Sequence, residues 1–245
     1  MNTSHSFLCR APRLILGAVT LLMAFGLQSC GIFEYEPAEE ETKATAMHFD
    51  QDTIHVMIDC DFTINPIFTP VDIGHRSMFW QIENPDIVTE TDPGLFTAKE
   101  EGWTTVYGTA IVDHLTDSCT VDVLPRWDDY EGNFPYEMLV NAKVLIHGQP
   151  LEDPWQYMLV AFVGDQQRAV GWAVDNVHVG TYFHIRIGSD IPHSDDPDLP
   201  DYLVEHVTFK LLGLNSHDLY EFPQEIIFDS ESHGTLSNLF ELSIP

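Results

Sequence analysis

The chain has 245 residues and is strongly acidic, with 39 Asp and Glu against 10 Lys and Arg and a formal charge of −29 at pH 7. A polyanion repels nucleic acid and anionic membrane surfaces, and the sequence holds no basic patch of the kind that DNA or RNA binding requires. Nucleic-acid binding is therefore excluded. The length is sufficient for one large or two medium-sized β domains.

The N-terminal segment has the pattern of an export signal. Arg10 and Arg13 precede an apolar stretch over residues 14–27, which is too short to span a bilayer comfortably as a helix. The motif LQSC, which ends at Cys30, resembles the lipobox of bacterial lipoproteins. The resemblance implies that residues 1–29 are a signal peptide and that Cys30 becomes the lipidated first residue, held in the lipid bilayer by its acyl chains. The alternative is an ordinary signal peptide with Cys30 merely near the cleavage site.

Residues 30–46 are acidic and poor in aliphatic side chains, which predicts a solvated tether. An acidic run directly after a lipidated cysteine resembles the export signal of Bacteroidetes surface lipoproteins. It implies an outer-membrane anchor with display at the cell surface rather than on the periplasmic leaflet. The mature chain would hold all 39 acidic residues and eight of the ten basic residues, giving a charge of −31.

Beyond the tether, short runs rich in Val, Ile, Phe, Thr and Tyr alternate with Gly, Pro, Asn and Asp. This pattern predicts an all-β chain of two tandem β-sandwiches. We assign residues 47–125 to the first sandwich, residues 126–135 to a polar linker and residues 136–245 to the second. In the last predicted strand of the first sandwich, CTVDVL, Cys119, Val121 and Val123 share one face, so the two residues between them share the other.

Residues 47–125 closely resemble the bacterial immunoglobulin-like group 2 domain. The residues that carry the resemblance follow in the family's order: Trp80, Asn84-Pro85, Val88, Gly94 to Ala98, Gly102, Thr104 to Val106 and Cys119 to Val123. The resemblance implies a seven-stranded Ig-like sandwich, used as a spacer or adhesive module, with Trp80 packed between its sheets. Pro66 in a long second strand and Trp103, where a small residue is usual, depart from the family pattern.

The second sandwich shows an obvious hairpin, WQYMLVAFVGDQQRAVGWAV, with a predicted loop over residues 164–167. The segment resembles a β-sandwich repeat of secreted and surface Bacteroidetes proteins. The matching residues are Ala161 to Asp165, Arg168 to Val170, Tyr182-Phe183, Val207 to Lys210 and Gly234 to Leu242. The resemblance implies a fold and a habitat, but no activity.

Cys60 and Cys119 are the only thiols that follow Cys30. An oxidising envelope permits a disulfide between them, although the geometry at Cys60 is uncertain from sequence. The resemblance to the Ig-like family implies instead that Cys119 is a lone buried thiol. Both possibilities stay open at this point.

An acidic loop, SDIPHSDDPDLPD, supplies hard oxygen ligands of the kind that Ca²⁺ prefers. The candidate calcium ligands are Asp195, Asp196, Asp198 and Asp201. The loop lacks the glycine and the distal glutamate of an EF-hand, and a solvated acidic loop is the simpler interpretation. No other cofactor is indicated.

The sequence contains none of the short catalytic motifs that we sought, including HExxH, GxSxG and SxxK. Carboxylates are too abundant for a glycosidase pair to be singled out. We therefore expect a non-catalytic protein.

Aromatic residues in loop-like or edge positions suggest a carbohydrate-binding face, because flat rings stack on sugars while carboxylates and amides bind hydroxyl groups. The candidate ligand-binding residues are Trp127, Tyr130, Trp155, Tyr157 and Tyr202. We expect binding or adhesion at the cell surface, with a glycan or a surface protein as ligand. The alternative is a structural subunit of a surface or fimbria-like assembly, in which an edge strand over residues 238–244 pairs with a neighbour.

Overall fold

The computed structural model describes residues 42–129, 132–191, 204–229 and 233–245, and its strands form two β-sandwiches, as predicted. Every described strand and both large hydrophobic cores lie within residues 42–245. In the described part of the chain, no helix has the length and apolar character needed to cross a membrane. The predicted signal peptide, Cys30 and most of the predicted tether lie outside the described residues.

The first sandwich comprises nine strands, two more than the seven that the family resemblance implies, because β1 and β4 add a separate pair to the two sheets of four and three strands. They are β1 Ala46–Phe49, β2 Thr53–Met57, β3 Asp61–Thr63, β4 Pro66–Thr69, β5 Met78–Ile82, β6 Val88–Asp92, β7 Leu95–Ala98, β8 Gly102–Ala110 and β9 Thr116–Leu124. One sheet has the order β2-β9-β8-β5, with β2 parallel to β9, and it faces the three-stranded sheet β3-β7-β6. Strands β1 and β4 pair beside them. Pro66 begins β4, a position where proline is tolerated.

The core of the first sandwich follows from strand alternation. In β9, Cys119, Val121 and Val123 point inward and are buried, as the sequence predicts. Trp80 is partly buried and packs against this core, as expected, with its ring stacked on that of Phe49 at 5.5 Å between ring centroids. Full burial of a Val, Ile or Phe side chain in this core contributes about 1.5–3 kcal/mol.

The second sandwich consists of strands β10 to β18 and a short 3₁₀ turn, Pro154–Gln156. The strands are β10 Tyr136–Ile146, β11 Gln149–Pro150, β12 Tyr157–Val163, β13 Gln166–Asn176, β14 Gly180–Ser189, β15 His206–Gly213, β16 Leu219–Glu221, β17 Ile226–Ile227 and β18 Phe240–Ile244. Strand β13 serves both layers, since its first half pairs with β12 and its second half pairs with β14. The change of layer occurs at Gly171, where a Cβ atom would lie 2.7 Å from Ile185 Cβ.

The predicted hairpin is confirmed as β12 and β13, but its loop is shorter than expected. Gly164 and Asp165 alone make the turn, and Gln166 and Gln167 already pair in β13. Gly164 has φ = 57°, the left-handed backbone that a two-residue hairpin turn requires. The four-residue loop is therefore corrected to two residues.

The two sandwiches share a packed junction. Strand β12 is buried on both faces: Leu159 and Ala161 enter the core of the second sandwich, whereas Met158 and Val160 join the core of the first. Trp127, in the 3₁₀ turn Trp127–Asp129, closes the junction with its ring 5.5 Å from that of Phe162. The predicted linker thus contributes a core residue rather than only a flexible connection.

Replacing Trp127 with Ala is expected to cost about 3–5 kcal/mol of unfolding free energy, the range for buried tryptophan. The junction then weakens, so the two sandwiches are expected to unfold in separate transitions in urea, monitored by far-UV circular dichroism. Trp155→Ala, at an exposed tryptophan, serves as the control and is expected to cost less than about 0.5 kcal/mol. Equal midpoints for the two variants would refute the packed junction.

The edge of β18 is partly occupied. One side of β18 pairs in parallel with β10. On the other side, the side-chain amide of Gln224 donates to the Ser243 carbonyl at 3.0 Å and accepts from the Ser243 N–H at 3.3 Å. A neighbouring strand would have to displace this amide, which weakens the case for assembly through residues 238–244.

No disulfide joins Cys60 and Cys119, although both are buried. Cys119 lies near the start of β2, because the next residue, Thr120, pairs with Thr53. Cys60 lies near the end of β2, in the turn that follows Met57. The length of β2 corresponds to roughly 13 Å, and a disulfide requires Cα atoms within about 7 Å of each other. The bridge that the sequence left open is therefore corrected to two buried thiols.

Candidate functional site

The solvent-facing side of the sheet β2-β9-β8-β5, here called the outer face, carries the strongest candidate site. Its residues are twelve outward members of the four strands: Thr53, His55, Phe79, Gln81, Trp103, Thr105, Tyr107, Thr109, Thr116, Ser118, Thr120 and Asp122. The next outward residues of β2 and β9, Met57 and Leu124, are buried in the core, so the outer face ends before them. The set is rich in aromatic rings and hydroxyl groups. The alternation of each strand puts these side chains on one surface, because the intervening residues fill the core.

Three large aromatic side chains of the outer face are exposed to solvent. Phe79 is 62% exposed, Trp103 59% and Tyr107 43%. Trp103 and Tyr107 lie four residues apart on β8, about 13 Å along the strand. On the neighbouring strand β5, Phe79 lies opposite Thr109 of β8, and Gln81 lies opposite Tyr107 of β8. The rings therefore form a stripe that follows β8 and continues onto β5.

Trp103 belongs to a cross-strand row of three different side chains. The register pairs Trp103 with Asp122, and Asp122 with His55. Asp122 Oδ2 lies 3.0 Å from His55 Nδ1, and the imidazole meets the Trp103 ring edge-on, with 6.1 Å between ring centroids. Asp122 is 8% exposed, so His55 and Trp103 hold a nearly buried carboxylate beneath the surface.

This row can recognise a hydroxyl-bearing ligand. Among the described residues, Asp122 Oδ1 and His55 Nε2 make no hydrogen bond, so an acceptor and a ring nitrogen remain available beside the exposed Trp103 ring. An aromatic ring that stacks on a sugar, next to groups that take its hydroxyls, is a carbohydrate-binding arrangement. The row contains a single carboxylate, whereas glycoside hydrolysis canonically uses two.

The described members of the aromatic set that the sequence singled out, Trp127, Trp155 and Tyr157, do not form one exposed group. Trp127 is 5% exposed in the junction and is not available to a ligand, which corrects its assignment. Trp155 is 53% exposed in the turn before β12, and Tyr157 begins β12 and is half-buried. Both belong to the second sandwich rather than to the outer face. Tyr130 and Tyr202 lie outside the described residues.

The predicted calcium ligands lie outside the described residues as well. They are Asp195, Asp196, Asp198 and Asp201. Asp190, at the start of the same loop, is described, and its carboxylate lies 3.7 Å from a guanidinium nitrogen of Arg168. Within the described ranges, no three His, Cys, Asp or Glu side chains are grouped as metal ligands.

Cys119 is unsuited to nucleophilic chemistry. Burial, followed by the charges of Asp50, Asp52 and Asp117, raises its pKa to about 12. The thiol is therefore protonated at neutral pH, whereas the thiolate is the reactive form. Cys119 acts as a small buried core residue, as the family resemblance implies.

His217 is the most strongly desolvated histidine near the outer face. Its carbonyl accepts the backbone N–H of His55 at 3.0 Å, and its ring packs edge-on against Phe62. Burial lowers the pKa of the His217 imidazole from its ordinary value of 6.5, and a separate hydrogen bond between this imidazole and the His55 backbone, together with the charge of Asp218, opposes only part of this shift.

The unfolding free energy is therefore expected to decrease as the pH falls below about 6.5, because the unfolded chain then binds a proton that folded His217 does not. His217→Asn is expected to reduce this pH dependence in urea unfolding between pH 7.5 and 5.5. Asn tolerates the left-handed backbone at this position, where φ is 57°. His114→Asn, at an exposed residue with φ of 55°, is the matched control. Identical pH dependence in both variants would contradict the assignment.

The sequence analysis missed the outer face although a signal was present. The alternation in GWTTVYGTA places Trp103, Thr105 and Tyr107 on one side of a strand, and Trp103 was noticed only as a departure from the family pattern. The row with Asp122 and His55 was not accessible, because it depends on pairing between residues 67 apart in the chain.

No protein-family model and no curated protein sequence matches the chain. Among solved structures, domains 5–6 of the S-layer protein SbsC resemble it with 10% identity and a TM-score of 0.29, over 73% of this chain and 96% of that chain. Human protocadherin-24 EC1-2 resembles it with 8% identity and a TM-score of 0.27, over 83% of this chain and 100% of that chain. Similarities this low carry no argument about function. The two family resemblances therefore rest on the quoted residues alone.

Proposed function

We propose that this chain is a non-catalytic protein of the bacterial cell surface that binds a glycan through the outer face. The row Trp103, Asp122 and His55 carries the proposal, because it joins an exposed stacking ring to a carboxylate and an imidazole with unused hydrogen-bonding atoms. The exposed rings of Tyr107 and Phe79 extend the surface available for stacking.

Exposed aromatic stripes on a soluble surface are costly unless a ligand covers them, and contiguous apolar surface marks binding sites. The threonine and serine hydroxyls around the stripe support a glycan over an apolar partner. These are Thr53, Thr105, Thr109, Thr116, Ser118 and Thr120. A protein partner would be expected to meet a larger apolar centre with less polar surroundings.

The proposal also includes the location of the protein. We propose a lipid anchor at Cys30, with the acidic tether carrying an Ig-like first sandwich and a second sandwich outside the outer membrane. The lipobox-like LQSC and the acidic residues that follow support this proposal. Labelling cells with a palmitate analogue tests it: wild type is expected to incorporate the label and Cys30→Ala to lose it.

A glycan array probed with residues 42–245, which contain every described strand, tests the binding proposal. Specific binding to a family of related glycans is expected, and a blank array would overturn the proposal. A repeat with EDTA tests calcium dependence separately, since the candidate ligands Asp195, Asp196, Asp198 and Asp201 remain a proposal. Loss of binding in EDTA would support a calcium site, and unchanged binding would remove it.

A further inference from the structure

The outer face carries a negative charge and no positively charged side chain. Its twelve residues include one carboxylate, Asp122, and no Lys or Arg. Between residues 46 and 124, the sequence holds only two basic residues, Arg76 and Lys99. Arg76 donates to the Val71 carbonyl in the loop after β4, and Lys99 follows β7 in the opposite sheet. Neither residue belongs to the outer face.

We propose that the outer face selects an uncharged, extended glycan chain that lies along β8 from Trp103 toward Phe79 and rejects chains bearing carboxylate or sulfate groups. This inference rests on the proposed function and names the ligand class for that site.

The selection against anionic chains follows from electrostatics. Proteins that bind carboxylate or sulfate supply Arg or Lys as the partner, and the outer face supplies neither. An anionic sugar over Trp103 would lie next to Asp122, whose low exposure limits screening by water. The protein as a whole carries a formal charge of −29, which repels polyanionic ligands at a distance. An uncharged sugar avoids both costs and still meets the free acceptor of Asp122.

The direction of the chain follows from the positions of the rings. Trp103 and Tyr107 lie on the same strand, with the hydroxyl of Thr105 between them. Phe79 continues the line at the far end of β8, opposite Thr109. A chain that follows β8 can stack on successive rings, whereas a short sugar can stack on only one. Affinity is therefore expected to rise with chain length until the ligand reaches Phe79, and then to level off.

Paired ligands provide the test. Neutral oligosaccharides of increasing length are compared with the same oligosaccharides oxidised to carboxylates at C6, using the full chain in detergent micelles and isothermal titration calorimetry. At low salt, the oxidised member of each bound pair is expected to bind at least about fivefold more weakly. This difference is expected to shrink in 0.5 M salt, where charges are screened.

A variant reverses the selection. Gln81→Lys places a cation next to Tyr107 on an exposed position and is expected to strengthen binding of the oxidised ligands relative to the neutral ones. Val112→Lys, on an exposed loop residue outside the outer face, adds the same charge elsewhere and is expected to change the ratio by less than about twofold.

The outcomes separate this inference from the proposed function. Equal or tighter binding of oxidised chains by the wild type overturns the inference while glycan binding stands. An affinity that does not grow beyond the shortest bound sugar overturns the extended path along β8. A blank for both members of every pair overturns glycan binding itself, and the inference with it.

Discussion

Gly234→Ala is expected to destabilise the protein by about 2–4 kcal/mol. A Cβ atom at this position would lie 2.2 Å from the Asn141 carbonyl oxygen and 2.6 Å from the Phe240 backbone nitrogen. Both are backbone atoms of the β10 and β18 region, which cannot rotate away as a side chain would. The left-handed backbone, with φ of 79°, adds about 1–2 kcal/mol for a residue other than glycine.

The steric cost of the added Cβ atom can be measured separately from the conformational cost of the left-handed backbone. Gly148 has φ of 74°, and a Cβ atom added there would meet no other atom within 4 Å, so Gly148→Ala carries only the conformational strain. Urea unfolding of the two variants is expected to show a larger loss for Gly234→Ala by at least about 1 kcal/mol. Equal losses would mean that the loop at Gly234 does not pack against Asn141 as the structure shows.

Trp103→Ala is expected to weaken glycan binding by more than about tenfold while leaving the fold intact. Exposed aromatic anchors contribute most of the energy at many binding sites, and truncation of one typically costs well over 1 kcal/mol. The unfolding free energy is expected to change by less than about 0.5 kcal/mol, because the Trp103 ring is mostly outside the core.

Trp155→Ala tests whether the ligand binds at the outer face or at the aromatic residues that were predicted from the sequence. Trp155 is almost as exposed as Trp103 but lies on the second sandwich. Titration calorimetry is expected to show wild-type affinity for this variant. Loss of binding in Trp155→Ala with no change in Trp103→Ala would move the site to the second sandwich.

Much of the fold was predictable because it depends on short-range sequence patterns, such as strand alternation and turn residues. Strict alternation in β9 separates Cys119 and Val121 from their outward neighbours, and the sequence around Gly164 marks a hairpin. The length of that hairpin's turn was wrong, because pairing of Gln166 and Gln167 with β12 competes successfully with a longer loop.

The candidate site was less predictable because it depends on pairing between distant strands. Nothing in the local sequence shows that Asp122 lies between Trp103 and His55. The assignment of Trp127 as a ligand-binding residue failed for a related reason. Its burial depends on β12 packing against the first sandwich, which a local pattern of polar and aromatic residues cannot reveal.

Ligand binding at the outer face is expected to change the NMR signal of the indole N–H group of Trp103. The chain has five tryptophans, and ¹⁵N labelling gives each a separate indole resonance in a titration with a glycan from the array. The Trp103 resonance is expected to shift most, whereas those of Trp127, Trp155 and Trp172 are expected to stay in place. A shift at Trp155 or Trp172 with Trp103 unchanged would contradict binding at the outer face.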